Sequence, residues 1–124
     1  MFFNDLGSEN FESIVLESPV PVVVVFYTDW SGCSQIIKFI MDELNVKAFP
    51  AVKFCRINAD DNQEIVQEYG IQMIPTILFF YNKKIVDSIE GIFPKSNILN
   101  KLSIIQNKYD KNHKSHPDYD PVDS

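Results

Sequence analysis

The stretch from Val20 to Tyr27 restricts the possible folds of this chain more than any other. Apart from Pro21, its residues are all β-branched or aromatic. An unbroken apolar run of this length is typical of a strand buried on both faces, because a strand with one face in water alternates apolar and polar residues. The run therefore predicts a sheet covered by helices on both sides.

Helix patterns lie on either side of this run in the sequence. Residues Ser8 to Glu17 form a short helix candidate with Ser8 as the N-cap. From Cys33 to Asn45 apolar residues recur at helical spacing, with polar residues opposite them. This pattern predicts one amphipathic helix whose sheet-facing residues are Ile36, Ile37, Ile40, Met41 and Leu44.

The second half of the chain repeats this alternation of strand and helix. Ala51 to Ile57 is rich in strand-forming residues, and Asp60 or Asp61 is the expected N-cap of a helix that carries Ile65, Val66 and Tyr69 and ends at Gly70. A hairpin follows, from Thr76 to Tyr81 and from Ile85 to Ile89, with its turn at Asn82 and Lys83. The last predicted helix buries Ile98, Leu99, Leu102 and Ile105. The fold class is therefore α/β, with room for a short strand before Ser8.

Length and composition indicate one domain. A chain of 124 residues, 45% of them hydrophobic, can bury a core without disulfide or metal support. We assign the domain to residues 1–107. Residues 108–124 lack apolar periodicity and contain two prolines, so we predict a disordered polar tail.

Charge and cysteine content narrow the class of protein. A net charge of −6 with scattered basic residues argues against a nucleic-acid surface. No apolar run reaches the roughly 18 residues that span a bilayer, and the first residues lack the layout of a signal peptide. Two cysteines are too few for a secreted disulfide framework, so we expect a reducing cytoplasm. We also expect the protein to be a monomer. His113 and His116 have no further ligands nearby, and we predict neither a metal site nor a cofactor.

The order and spacing of several motifs resemble the thioredoxin family over positions 8 to 109. The segment RINADDNQEIVQEYGIQMIPTILFF is especially similar to thioredoxins of bacteria and of plastids, the m-type. The strand, turn and helix of the family match VVVVFYTDWSGCSQIIKFI, and its Ile-Pro-Thr matches Ile74, Pro75 and Thr76. The resemblance implies a thioredoxin fold, a central mixed sheet flanked by helices.

The redox motif of the family is altered in this chain. Thioredoxins carry Trp-Cys-Gly-Pro-Cys, whereas this chain has Trp30, Ser31, Gly32, Cys33 and Ser34. Both redox cysteines are thus serines, and the single cysteine stands where the family has proline. Dithiol exchange needs one thiolate to attack and a second thiol to resolve the mixed disulfide. Serine does neither.

Three further positions depart from the family. Its buried acid, which serves proton transfer, is Val25 here, and the nearby family lysine is Arg56, which we expect to have lost its partner. Phe39 replaces the proline that kinks the long helix, so this helix should run straighter. A buried carboxylate is costly unless it is used, and its loss fits a site released from dithiol chemistry.

Two readings of the thiols and of the groove remain open. Cys33, in the first turn of a helix, is either a reactive thiol or an inert residue that fills a turn, whereas we expect Cys55 to be buried within a strand. In thioredoxins the tryptophan and the backbone beside a cis-proline hold an extended substrate segment. The resemblance implies a similar protein-binding groove formed by Trp30, Gly32, Cys33, Ile74 and Pro75.

Two classes of function follow. One is a redox-inactive module, an adaptor or holdase that binds proteins or extended peptides through the groove beside Trp30 and Pro75. The other is a thiol-disulfide oxidoreductase, either a monothiol form that uses Cys33 or a thioredoxin whose two cysteines were changed to Ser31 and Ser34 by design. Val25 and the cysteine at the proline position, Cys33, are not changes that an experimenter would choose, so they favour natural loss of the two redox cysteines. We expect the compartment to be the cytoplasm, or the stroma if the gene is plastid-encoded.

Overall fold

A computed structural model describes residues 4–44, 49 and 51–109 of the chain. The strands are β1 (Asn4–Leu6), β2 (Val22–Tyr27), β3 (Lys53–Asn58), β4 (Thr76–Tyr81) and β5 (Lys84–Glu90). The helices are a π-helical turn (Glu12–Leu16), α1 (Gly32–Leu44), α2 (Gln63–Glu68) and α3 (Lys95–Tyr109). α3 includes the first two residues of the tail predicted for 108–124, and the rest of that tail, 110–124, lies outside the described residues.

The strands form one mixed sheet in the order β1-β3-β2-β4-β5. β1 and β2 both run parallel to β3, while β4 is antiparallel to β2 and to β5. β2 therefore lies at the centre, with a neighbour on each side and residues 22 to 26 all buried. This confirms the strand predicted from the unbroken apolar run.

The sheet separates two apolar layers, because successive side chains of a strand point to opposite faces. Val23 and Val25 belong to the layer that includes residues of α1 and α3, such as Ile37 and Leu102. Val22, Val24 and Phe26 belong to the layer beneath the π-helical turn and α2. Helices thus cover both faces, as the sequence predicts.

The first predicted helix is shorter than expected, and Ser8 is not its cap. Residues 8 to 10 form a turn in which the backbone N–H of Gly7 donates to Asn10 Oδ1 over 2.8 Å. The Ser8 hydroxyl donates instead to the Glu64 carboxylate on α2. This hydrogen bond holds the pKa of Glu64 below its usual value. Because residues 8 to 10 belong to this turn, the helical residues begin only after them.

The expected cap of α2 is also wrong. Neither Asp60 nor Asp61 precedes the helix directly; Asn62 does, and it makes no side-chain cap bond. Asn58 Oδ1 accepts the backbone N–H of Asp60 over 2.9 Å, which turns the chain two residues before the helix. Gly70 has a φ of 63°, which confirms its left-handed conformation at the end of the segment.

The hairpin turn and most of the predicted apolar positions agree with the structure, with two exceptions, while the side chain of Leu44 lies outside the described residues. Asn82 and Lys83 have positive φ angles of 55° and 69°, as the two-residue turn of a hairpin requires. Ile36 is 51% exposed, because the buried stripe of α1 is centred on Ile37 and Met41. The buried and exposed residues predicted to alternate along β5 do not do so. Only Ile89 of this strand is buried, since β5 is an edge strand with a register shift. In α3, Ile98, Leu102 and Ile105 are buried and Leu99 partly so.

Candidate functional site

One edge of the sheet gathers the loops that carry the motif residues. β2 and β3 end together there, where the N–H of Ala59 donates to the C=O of Tyr27 over 2.8 Å. β4 begins beside the end of β2, since Thr76 is paired with Phe26, and Glu90 at the end of β5 is paired with Thr76. The turn of Trp30 and the start of α1 follow β2 directly. Pro75 therefore lies beside the turn that precedes α1.

Ser31 caps α1. Its C=O accepts the N–H of Gln35 over 3.2 Å, and its Oγ accepts the N–H of Ser34 over 3.1 Å. A serine in this position satisfies a backbone donor that has no partner within the helix. The hydroxyl at the first family cysteine position is thus used for folding.

Ser34, at the second cysteine position, is completely buried. Its Oγ accepts the N–H of Thr28 over 3.1 Å, and so connects the end of β2 to the first turn of α1. The neighbouring Thr28 Oγ1 is buried and has no hydrogen-bond partner among the described residues. Both serines therefore have structural contacts.

The two cysteines lie in different parts of the fold. Cys33 is exposed in the first turn of α1, on one face of the sheet. Cys55 is fully buried in the apolar layer on the other face, as predicted. The body of the sheet separates the two sulfurs, so this fold does not allow a disulfide between them.

Trp30 extends from the turn before α1 and is 74% exposed. Its Nε1 donates to Asp60 Oδ2 over 2.8 Å, which ties the ring to the end of β3. Sequence reasoning considered Asp60 only as a helix cap and missed this contact. The signal available was position: Asp60 follows β3, which runs parallel to β2, so both residues lie at the same sheet edge.

Ile74 and Pro75 lie on the other side of this edge, and the peptide bond between them is cis. The C=O of Pro75 accepts the N–H of Gly91 over 2.8 Å, which holds the β5 end against the start of β4. Among the described residues, neither the N–H nor the C=O of Ile74 makes a hydrogen bond. Backbone groups of this kind need water or a partner chain.

Val25 is buried, and Arg56 is its direct neighbour on β3. The family acid expected at position 25 is absent, but Arg56 has another partner. Its Nε donates to the Asp5 carboxylate on β1, which is paired with Arg56 in the sheet on the side away from Val25. The hydrogen bond with Asp5 raises the pKa of the Arg56 guanidinium. The ion-pair partner of Arg56 is thus an exposed carboxylate on the edge strand β1.

A shallow depression lies between α1 and strands β2 and β3, lined by Val25, Lys38, Met41, Asp42 and Arg56. The Lys38 ammonium lies 5.0 Å from the centre of the Tyr27 ring, and burial raises the pKa of the Tyr27 hydroxyl. No group of acidic, histidine or cysteine side chains in the described part of the chain could hold a metal ion. His113 and His116 lie outside those residues.

Two remaining features bear on the predictions. Phe39 is 64% exposed on an α1 that continues unbroken from Gly32 to Leu44. That the helix is straighter than in relatives stays a prediction. Within residues 4–44, 49 and 51–109, no helix is long and apolar enough to cross a membrane.

A mixed five-stranded sheet with helices on both faces, and a Trp-containing turn that opens α1 beside a cis-proline, define a thioredoxin-like protein. The thioredoxin family model matches residues 3–104. This chain belongs to the thioredoxin family.

Several named thioredoxins are similar to it. Thioredoxin M5, chloroplastic, from Oryza sativa subsp. japonica is 38% identical over 101 residues, which cover 82% of this chain and 56% of that protein. A thioredoxin from Griffithsia pacifica is 38% identical over 102 residues, 82% of this chain and 94% of that protein. One from Rickettsia felis is 36% identical over 96 residues, 77% of this chain and 91% of that protein. The chain thus spans little more than half the length of the Oryza sativa protein.

Proposed function

We propose that this protein is a redox-inactive, protein-binding member of the thioredoxin family, an adaptor or holdase. The observation that carries the proposal is the use of the two serine hydroxyls. Ser31 Oγ caps α1, and Ser34 Oγ is buried against the N–H of Thr28. Positions that hold the redox pair in the family are occupied here by groups that fold the turn.

The chemistry of disulfide reduction requires two thiols that can reach each other. The first attacks the substrate disulfide as a thiolate, and the second displaces the reduced substrate by forming an internal disulfide. In the described part of this chain Cys33 has no second thiol within its turn, and Cys55 belongs to the opposite apolar layer. The step in which a second thiol releases the reduced substrate therefore cannot occur, and the dithiol route cannot turn over.

A binding groove does not depend on the thiols. Trp30 and the Ile74–Pro75 segment lie at the same sheet edge, where the exposed residues Gly32 and Cys33 begin α1. The ring of Trp30 offers a large apolar surface to a partner. The N–H and C=O of Ile74 are available to an extended segment, which would pair with them as an added strand.

A second candidate is a monothiol oxidoreductase, and the exposure of Cys33 favours it. The Cys33 thiolate would attack one sulfur of a disulfide, form a mixed disulfide and release the other sulfur as a thiolate. An external thiol, such as glutathione, would then have to remove the adduct. A variant of this candidate is a thioredoxin whose cysteines at positions 31 and 34 were changed by design; cysteine codons at those positions of the unaltered gene would support it.

The partners we propose are proteins or extended peptide segments, bound by a monomer. The compartment we propose is the cytoplasm of a bacterium or the stroma of a plastid. It is supported by the bacterial and chloroplastic origin of similar proteins, including those of Rickettsia felis and Oryza sativa.

The binding proposal is tested by comparing two aromatic variants in a titration with a fluorescently labelled, uncharged apolar peptide. Trp30→Ala should weaken binding at least tenfold, because Trp30 supplies the largest exposed ring at the groove. Phe39→Ala is the matched control, since Phe39 is similarly exposed but lies two turns into α1. Equal effects of the two changes, or no binding by the unaltered chain, would contradict the proposal.

A further inference from the structure

An exposed apolar rim surrounds the groove. Trp30 is 74% exposed, Met73 48%, Ile92 41% and Phe93 39%. The first follows β2, the second precedes β4, and the last two follow β5, so all four are carried by loops at one sheet edge. Met73 and the β5 end are in contact range, since a side chain at Gly91 would meet the Met73 sulfur at 3.1 Å. Apolar side chains clustered in this way mark a binding surface.

The charged groups at the same edge are acidic. Asp29 follows β2, Asp60 and Asp61 follow β3, and Glu90 ends β5 opposite Thr76. All four are exposed. Asp60 Oδ2 accepts a hydrogen bond from Trp30 Nε1, and Asp29 Oδ2 lies 3.5 Å from the side-chain amide nitrogen of Asn58. Both of these partners are neutral groups.

Three cations on the adjoining elements have other contacts. Arg56 is bound to Asp5, Lys95 lies 3.5 Å from Glu43, and Lys38 lies over the Tyr27 ring. None of these cations forms an ion pair with the acidic residues at the groove. The field at the rim is therefore negative, and it favours cationic groups on whatever binds there.

From this arrangement we infer that the partner segment is apolar at its centre and carries lysine or arginine at its flank, with the basic residues beside Asp29 and Asp61. This inference rests on the proposed function, since it specifies the ligand of the same groove. The apolar centre covers the rim of Trp30, Met73 and Phe93, and the cations complete a charge pattern that the described residues leave unpaired.

Three synthetic peptides with one apolar centre test the inference, with flanks of lysine, serine or glutamate. Binding is followed by fluorescence anisotropy at low and high sodium chloride, about 50 mM and about 300 mM, between which the screening length shortens. We expect the order of affinity to be lysine, serine, glutamate at low salt, with about a two- to threefold gain for each carboxylate engaged. The differences should shrink at high salt because screening is stronger.

A double variant, Asp29→Asn with Asp61→Asn, isolates the local charges. The matched control is Glu12→Gln with Glu17→Gln, which changes the net charge equally on the exposed π-helical turn. The first variant should reduce the lysine preference at least threefold, and the second should leave it unchanged. Equal affinity for the three peptides, or equal effects of the variants, would overturn the charge inference alone. Failure of every peptide to bind would overturn the groove itself.

Discussion

Removing the hydroxyl of Ser34 should destabilise the fold measurably. Ser34 is completely buried, and its Oγ accepts the N–H of Thr28 over 3.1 Å. In Ser34→Ala that N–H would remain buried beside Thr28 Oγ1, which already lacks a partner within the described part of the chain. An unsatisfied buried donor costs about 1–3 kcal/mol, so the free energy of unfolding should fall by about that amount.

The assay is urea denaturation followed by circular dichroism, with the slope of the transition checked for constancy. Ser103→Ala is the control, because Ser103 is exposed on α3 and its loss should change the free energy of unfolding by no more than about 0.5 kcal/mol. If the two variants unfold at the same urea concentration, the Ser34 hydroxyl does not support the turn, and the structural role assigned to it is wrong.

Two further predictions concern packing and thiol reactivity. Ile37→Ala should lower the free energy of unfolding by about 2–5 kcal/mol, measured in the same way, because Ile37 is fully buried between α1 and the sheet. A loss below about 1 kcal/mol would contradict this packing. In the folded protein Cys33 should react with a maleimide well before Cys55, as read by mass spectrometry of the labelled peptides, because only Cys33 is exposed. Modification of both thiols only after unfolding would remove the monothiol alternative.

The fold could be predicted from the sequence where the apolar pattern was strong. The run through β2 lies at the sheet centre, and Ile98, Leu102 and Ile105 are buried as their spacing predicts. Prediction failed where a short polar residue had several possible partners. Ser8 has the sequence signature of an N-cap, yet its hydroxyl donates to Glu64, which is 56 positions away in the chain. Local preference does not indicate such distant partners.

The candidate site shows the same division. The residues at the turn and at the Ile74–Pro75 bond could be identified by their resemblance to the motifs of thioredoxins, and they lie at one sheet edge. The pairing of Arg56 with Asp5 could not, because it requires β1 to lie beside β3, and a three-residue strand leaves almost no periodic signal. The contact of Trp30 with Asp60 likewise depends on the sheet order.

The absence of a dithiol is the central claim, and reduction of insulin disulfides by dithiothreitol measures it most directly. The chain should not accelerate the reaction above background, since Ser31 and Ser34 hold hydroxyls where the family holds thiols. The matched variant is Ser31→Cys with Ser34→Cys, which should form a disulfide and accelerate reduction measurably. Turnover by the unaltered chain comparable to that of the double variant would contradict the claim. Inactivity of a correctly folded double variant would show that the serines are not the only reason, since Val25 remains in place of the family acid.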